Sequence, residues 1–121
     1  MNWMIAAGAL NGALAVMAGA FGAHGLKAKL APELLATWHT GAEYHMYHAL
    51  ALVLAGVVAG AAPTTTLNAA GIALAAGMLL FSGSLYLLAL TGVKWLGAIT
   101  PLGGLAFIAG WLLLAHAAWR G

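Results

Sequence analysis

Of the 121 residues, 64% are hydrophobic and only 5% carry a charged side chain, a composition far outside that of soluble proteins and typical of integral membrane proteins. The net charge of +2 comes from four Lys or Arg residues against two Asp or Glu, so there is no basic stripe, and nucleic acid is not an expected partner. Because the chain has no Cys, disulfide bonds and thiolate metal ligands are excluded, and His is the only soft ligand left.

Four mostly apolar segments are long enough to cross a bilayer, whose hydrocarbon core of about 30 Å needs about 20 helical residues. They run over about residues 3–22, 41–62, 67–90 and 95–119. The links after Ala62 and Leu90 are only a few residues long, so each span must return directly as the next. The sequence therefore predicts an all-α membrane protein with a single domain, residues 1–121, folded as an up-down-up-down bundle of four transmembrane helices.

The first span contains one strongly polar residue, Asn11, near the middle of the membrane. A polar side chain at that depth more often bonds a neighbouring helix than a ligand. Gly8 and Gly12 flank it with the spacing that allows another helix to approach closely. In a chain with 17 glycines, this spacing does not distinguish packing within the bundle from packing between subunits.

The link between the first two spans carries half of the charged residues, namely Lys27, Lys29 and Glu33. A helix start is predicted at Pro32, because Pro is favoured in a first turn and the following acid favours the positive end of the helix dipole. A helix from Pro32 to Ala62 would be about 46 Å long. Its first turns are therefore expected in the headgroup region.

The orientation is predicted from the distribution of Lys and Arg. The links after the first and third spans lie on the same side of the membrane and hold Lys27, Lys29 and Lys94, whereas the other side holds Arg120. Because positively charged residues favour the cytoplasm, both termini are predicted to be extracytoplasmic.

The fourth span contains two further features. Pro101 is expected to interrupt its helix about one turn inside the start, because Pro lacks the backbone N–H. Trp111 lies deeper than the other Trp residues and is expected to be a packing residue.

The stretch from Trp38 to His48 is the densest group of titratable side chains in the chain and holds three of its five His residues. On a helix at about 100° per residue they form two roughly opposite sets, His39, Glu43 and Tyr47 on one side and Tyr44, His45 and His48 on the other. One helix therefore cannot direct all three His residues at one ion, and a closed metal site needs about four ligands. Neither a metal nor any other cofactor is predicted.

His48 is the strongest functional candidate in this stretch. His39 and Glu43 lie near the edge of the hydrocarbon core, where they can reach water. His48 lies about five residues further in, so it is expected to face the bundle interior or a cavity, and ionisable residues at such depth are often functional.

Counting inward from the face that the first and third links share places the remaining polar side chains at one level. This polar layer consists of His24, Tyr44, His48, Ser82, Ser84, Tyr86 and Thr100, with Asn11, His39 and Glu43 as secondary candidates. The layer is either a polar clamp that fixes helix packing or a small cavity open to the cytoplasmic side.

Four motifs follow one another through nearly the whole chain. They are Gly19-Ala-Phe-Gly-Ala-His-Gly25, Trp38-x-Thr-Gly-x-x-Tyr44-x-x-Tyr/Phe-His48, Phe81-Ser-Gly-Ser-Leu-Tyr86 and Ile99-Thr-Pro-x-Gly-Gly104 followed by Gly110-Trp111. With these motifs the chain resembles the domain-of-unknown-function family 423, whose animal relative is transmembrane protein 256. The resemblance implies a small four-span protein of the bacterial inner membrane and no established activity. It includes every residue of the polar layer and Pro101, whereas His39 and His45 stand outside its pattern.

Three hypotheses about function follow from these features. The first is a non-enzymatic structural or accessory subunit, whose partners are the lipid bilayer and either further copies of itself or a larger membrane complex. The second is a small-solute or proton pathway in which His48 titrates. The third is a metal-binding, haem-binding or enzymatic subunit, but no Ser-His-acid set, phosphate loop or dinucleotide fingerprint supports it, and no catalytic residue is predicted.

Overall fold

The computed structural model describes residues 2–120. The α-helices are α1 (Trp3–His24), α2 (Pro32–Ala61), α3 (Thr65–Gly77), α4 (Gly83–Thr91) and α5 (Thr100–Arg120). A π-helical turn, Met78–Ser82, joins α3 and α4 into one rod, and a 3-10 helix, Lys94–Ala98, leads into α5. Four rods are thus long and apolar enough to cross a membrane, and in chain order they are Trp3–His24, Pro32–Ala61, Thr65–Thr91 and Lys94–Arg120. The described residues include no strand. The predicted all-α, four-helix membrane fold is confirmed.

Local sequence determines where the helices begin and end. The side chain of Asn2 accepts hydrogen bonds at the start of α1, and Thr64 Oγ1 accepts one from the N–H of Leu67 at the start of α3. α2 begins at Pro32, as its position before an acidic residue predicts. Gly92 ends α4 in the left-handed conformation, with a φ of 71°, which only glycine adopts without strain.

The second and third rods form the centre of the bundle, and α1 and α5 lie outside them. In the most apolar segments of the second and third rods, 44% and 39% of residues are buried, against 17% in each outer rod. α1 packs mainly on α2, and α5 packs mainly on α3. The fully buried Leu52 and Leu74 come from the two central rods.

Glycines bring the outer helices close to the central ones. A Cβ atom added to Gly8 would lie 2.8 Å from the backbone nitrogen of Val53, and one added to Gly103 would lie 2.7 Å from the Cα of Phe81. Such backbone-to-backbone approach increases the van der Waals contact that holds helices together in lipid. These two glycines are therefore used inside the bundle.

Two backbone features differ from what the sequence predicts. In the third rod the N–H of Gly83 donates to the carbonyl of Met78, five residues earlier, a π-helical arrangement that nothing in the local sequence predicts. In the fourth rod, α5 begins at Thr100, so Pro101 lies in its first turn and not one turn inside it. There its missing N–H removes no bond within the helix.

Candidate functional site

One stripe of α2 faces the bundle interior. Trp38, Gly41, His45, His48 and Leu52 recur at intervals of three or four residues and are all buried. This is the spacing of one helical face. The two His residues of this stripe therefore meet side chains of the other rods.

His45 lies in a chain of hydrogen bonds that joins three rods. Its Nε2 is 2.9 Å from Asn11 Oδ1 on α1, and its Nδ1 is 2.9 Å from the Tyr86 hydroxyl on α4. The amide nitrogen of Asn11 donates to the carbonyl of Ala7 at 2.9 Å. Polar side chains from α1, α2 and α4 thus bond one another in the apolar interior.

The partners determine the direction of the bonds in this chain once the imidazole is neutral. Because the Asn11 amide nitrogen faces a carbonyl, its oxygen faces His45, so His45 Nε2–H is the donor. In a neutral ring, which burial in an apolar interior favours, His45 Nδ1 is then the acceptor, and the Tyr86 hydroxyl donates to it. The neutral His45 is therefore protonated on Nε2.

His48 has the opposite tautomer. Its Nδ1–H donates to the carbonyl of Tyr44 at 2.7 Å, because a carbonyl can only accept, and its Nε2 accepts from the indole N–H of Trp111 at 3.1 Å. The imidazole lies parallel to the Phe107 ring, with ring centroids 3.4 Å apart. Both nitrogens and one face of the ring are thus occupied by protein.

Two Ser residues of the third rod bond to different neighbours. Ser82 is fully buried and donates to the carbonyl of Gly41 on α2 at 2.7 Å. Ser84 Oγ is 2.6 Å from Thr100 Oγ1 on α5 and 2.9 Å from the carbonyl of Phe81, to which it donates. These contacts bond the third rod to both of its helical neighbours.

Trp38 closes the interior at the start of α2. Its indole N–H donates to the carbonyl of Ala18 at 2.7 Å, and its ring lies against Tyr86 with centroids 4.6 Å apart. Gly22 makes room for it, because a Cβ there would lie 2.6 Å from the indole ring.

The structure brings most of the predicted polar layer into the interior, but as separate contacts. His48, Ser82, Ser84, Tyr86 and Thr100 each bond a side chain or carbonyl of another residue, and these contacts do not converge on one point. Even on the same helix, Gly41, which accepts from Ser82, and His48 are about 10 Å apart.

The other predicted residues lie at the edge of this arrangement. His24 is exposed at the end of α1, and Glu43 is exposed on α2. Tyr44 contributes its carbonyl, and the residue is 38% exposed, with its ring packed against Phe81. His39 is half-buried beside Gly22. Asn11 bonds a neighbouring helix, as its depth suggested.

Sequence reasoning missed two residues that bond the polar layer, the buried His45 and the 44% exposed Trp111. His45 was outside the family motifs, although the periodicity of α2 places it on the same face as Trp38 and His48. Trp111 was expected only to pack, yet it donates to His48 across the bundle. No feature of the sequence pairs residues 63 positions apart.

The arrangement suits packing better than coordination. Within residues 2–120 no three His, Cys, Asp or Glu side chains are close enough to hold one metal ion. The lone pair of each buried imidazole already accepts a hydrogen bond. The bonds between rods instead fix the rotation of one rod relative to another.

Comparisons with known proteins agree with this description. Residues 18–104 match the model of a family described as protein of unknown function (DUF423). The chain is 52% identical to the UPF0382 membrane protein YwdK of Bacillus subtilis, over 98% of this chain and 97% of the relative. It is 48% identical to the UPF0382 membrane protein SAB0533 of Staphylococcus aureus, over 99% and 98% of the two chains. No solved structure matches the chain.

Proposed function

We propose that this protein, which belongs to the DUF423 family, is a helix-packing subunit that assembles with a second copy of itself. It is a small membrane protein of unknown activity. The observation that carries the proposal is a difference among the glycines of α1. Residues of α2 occupy the space beside Gly8 and Gly22, whereas a Cβ added to Gly12 or Gly19 would meet nothing within 4 Å.

Gly12 and Gly19 lie beside the face of α1 that packs on α2, at two positions where the bundle leaves open space. They are seven residues apart, which places them on the same side of α1. Glycines that no internal contact requires cost helix stability, and in membranes such positions allow a second helix to approach closely. We call this surface the open glycine face.

The hydrogen bonds of the bundle interior also support a structural role. The nitrogen atoms of His45 and His48 are all engaged, and the ring of His48 is stacked on Phe107. A proton carrier at His48 would have to release Trp111 before it could accept a proton. The pathway hypothesis therefore gains no support from this geometry.

The test is the mass of the native particle in mild detergent and in lipid nanodiscs. We expect the wild-type protein to form dimers or larger assemblies, and Gly12→Leu and Gly19→Leu to shift it towards monomer. Because these side chains enter open space, the helix content should be unchanged. Ala109→Leu places the same side chain at an exposed position of α5 and is the matched control.

The proposal fails in either of two ways. A wild-type protein that is monomeric at all concentrations contradicts it, and so does a stable assembly that both leucine variants leave intact. Assembly that appears only with other membrane proteins present would indicate a larger complex in place of a homo-oligomer.

We also propose that the protein lies in the bacterial plasma membrane with both termini extracytoplasmic. Its similar relatives are bacterial membrane proteins, and Lys27, Lys29 and Lys94 lie at one end of the bundle. Since the chain has no Cys, Lys29→Cys and Ala62→Cys each introduce a single thiol. A membrane-impermeant maleimide added to intact cells should label the thiol at 62 and not the one at 29. Labelling at 29 and not at 62 would show that both termini are cytoplasmic.

We further infer that residues 1–121 form one domain. The hydrophobic core joins Met4 of α1, Leu52 of α2, Leu67 of α3 and Phe107 of α5. Unfolding should therefore occur in one transition, and two separated transitions would contradict the inference.

A further inference from the structure

A groove runs between α1 and the third rod, over the buried face of α2. One part is a cleft of about 370 Å³ that is lined at one side by Asn11, His45 and Tyr86. The adjoining part, of about 470 Å³, shares His45 and Tyr86 and continues along α1 past Leu14 and Phe21. We call the two parts together the lateral groove.

The lateral groove opens sideways, towards the acyl chains of the membrane. Gly83 lies on its wall, and a Cβ added there would meet nothing within 4 Å. Leu79, also on the wall, is 74% exposed. A molecule dissolved in the bilayer therefore has a direct path to the polar side chains inside.

Hydrogen-bonding capacity remains at the floor of the groove. The amide of Asn11 has two N–H groups, and the contacts of the described residues use one of them, donated to Ala7. The hydroxyl of Tyr86 donates to His45 and keeps lone pairs that can accept. A donor without an acceptor is costly in hydrocarbon, so a carbonyl oxygen placed against Asn11 would be stabilised there.

The depth of this floor restricts the occupant. Asn11 is eight residues from the start of α1, about 12 Å along the helix, and thirteen from its end, about 20 Å. A phospholipid carries its charged group at the membrane surface, above this level. The occupant must instead be neutral and carry an oxygen atom into the apolar region.

The groove walls favour a flat ring followed by an apolar tail. The polar part is bounded by the ring of Tyr86, and the second part is lined by the apolar side chains of Leu14, Met17 and Phe21 and by the Trp38 ring. Both volumes are within the range of pockets that bind small molecules. We propose that the lateral groove binds a lipid-soluble quinone, with one ring carbonyl accepting from the second N–H of Asn11 and the tail lying along α1.

This inference does not rest on the proposed assembly. At about 100° per residue, Gly12 and Gly19 lie roughly opposite Leu14, Met17 and Phe21 on α1. The open glycine face and the lateral groove can therefore be changed separately, and the failure of one proposal leaves the other standing.

The test is a titration of the full-length protein in nanodiscs with decylubiquinone, followed by quenching of tryptophan fluorescence. Partition into lipid gives quenching that rises linearly, whereas a site gives a component that saturates at one molecule per chain. We expect saturation for the wild-type protein and for Ala109→Leu. Gly83→Leu fills open space in the groove, and we expect it to weaken binding by about tenfold or more without loss of helix content.

Two further variants keep the test decisive. Leu79→Phe places a ring at the groove wall from an exposed position, adds no tryptophan to the signal, and should act like Gly83→Leu even if the latter folds poorly. Asn11→Leu removes the proposed donor and should also weaken binding. Linear quenching in the wild-type protein, or saturable binding that Gly83→Leu and Leu79→Phe both leave unchanged, would overturn the proposal. Equal competition by monoolein would overturn the ring assignment, because it would show that any acyl ester fills the groove.

Discussion

The adjacent glycines Gly103 and Gly104 of α5 provide a matched pair for the packing between the outer and central rods. A Cβ at Gly103 would lie 2.7 Å from both the Cα and the Cβ of Phe81, whereas a Cβ at Gly104 would meet only the edge of the same ring, at 3.9 Å. Carbon atoms pack favourably at about 3.5–4.0 Å, so Gly103→Ala requires the two backbones to separate by about 1 Å. Gly104→Ala requires no movement.

The expected magnitudes follow from this difference. Overpacking of this kind costs about 1–3 kcal/mol, and here the obstacle is backbone, which cannot change rotamer. Separation would also lengthen the nearby bond between Ser84 and Thr100. Gly104→Ala should be neutral or stabilising by up to about 1 kcal/mol, because Ala is the better helix former.

The assay is unfolding of each purified variant in mixed detergent micelles, followed by circular dichroism. We expect Gly103→Ala to lower the free energy of unfolding and Gly104→Ala to leave it unchanged or raise it. Equal effects of the two substitutions would refute the close approach of α5 to the third rod at Phe81.

Two further predictions concern the interior hydrogen bonds. Trp111→Phe keeps an aromatic ring but leaves His48 Nε2 without a donor, so the free energy of unfolding should fall by about 1–3 kcal/mol. Trp95→Phe, at a 66% exposed position, should have little effect. Similar losses in both variants would contradict the bond between Trp111 and His48. In a double-mutant cycle, Ser84→Ala and Thr100→Val should show a coupling of about 0.6 kcal/mol, typical of interhelical bonds in membranes, and strictly additive effects would show that the two hydroxyls do not interact.

The fold class could be predicted from sequence because the bilayer imposes it. Apolar length defines the four rods, and the short links after Ala62 and Leu90 leave little choice of topology. The start of α2 was also predictable, since Pro32 and Glu33 are local signals. The π-helical turn in the third rod has no such local signal, and its Phe81 lies against Gly103, a contact with a distant part of the sequence.

The partners of the polar residues were less predictable than their burial. Depth counting placed Ser82 and Ser84 together, but pairing depends on the rotation of each helix, which sends them to α2 and α5 respectively. His45 was set aside because family motifs do not include it, although the periodicity of α2 directs it inward. Depth and the first family motif both group His24 with the layer, yet it lies exposed at the end of α1.

The central claim is that the buried His residues are neutral structural groups with opposite tautomers, each held by protein on both nitrogens. The most direct measurement is solid-state NMR of the ring nitrogens in ¹⁵N-histidine-labelled protein in lipid, with His45→Gln and His48→Gln variants to assign the signals. The account predicts that His48 is protonated on Nδ1 and His45 on Nε2 at neutral pH. A charged imidazole at either position, or the same tautomer at both, would contradict it.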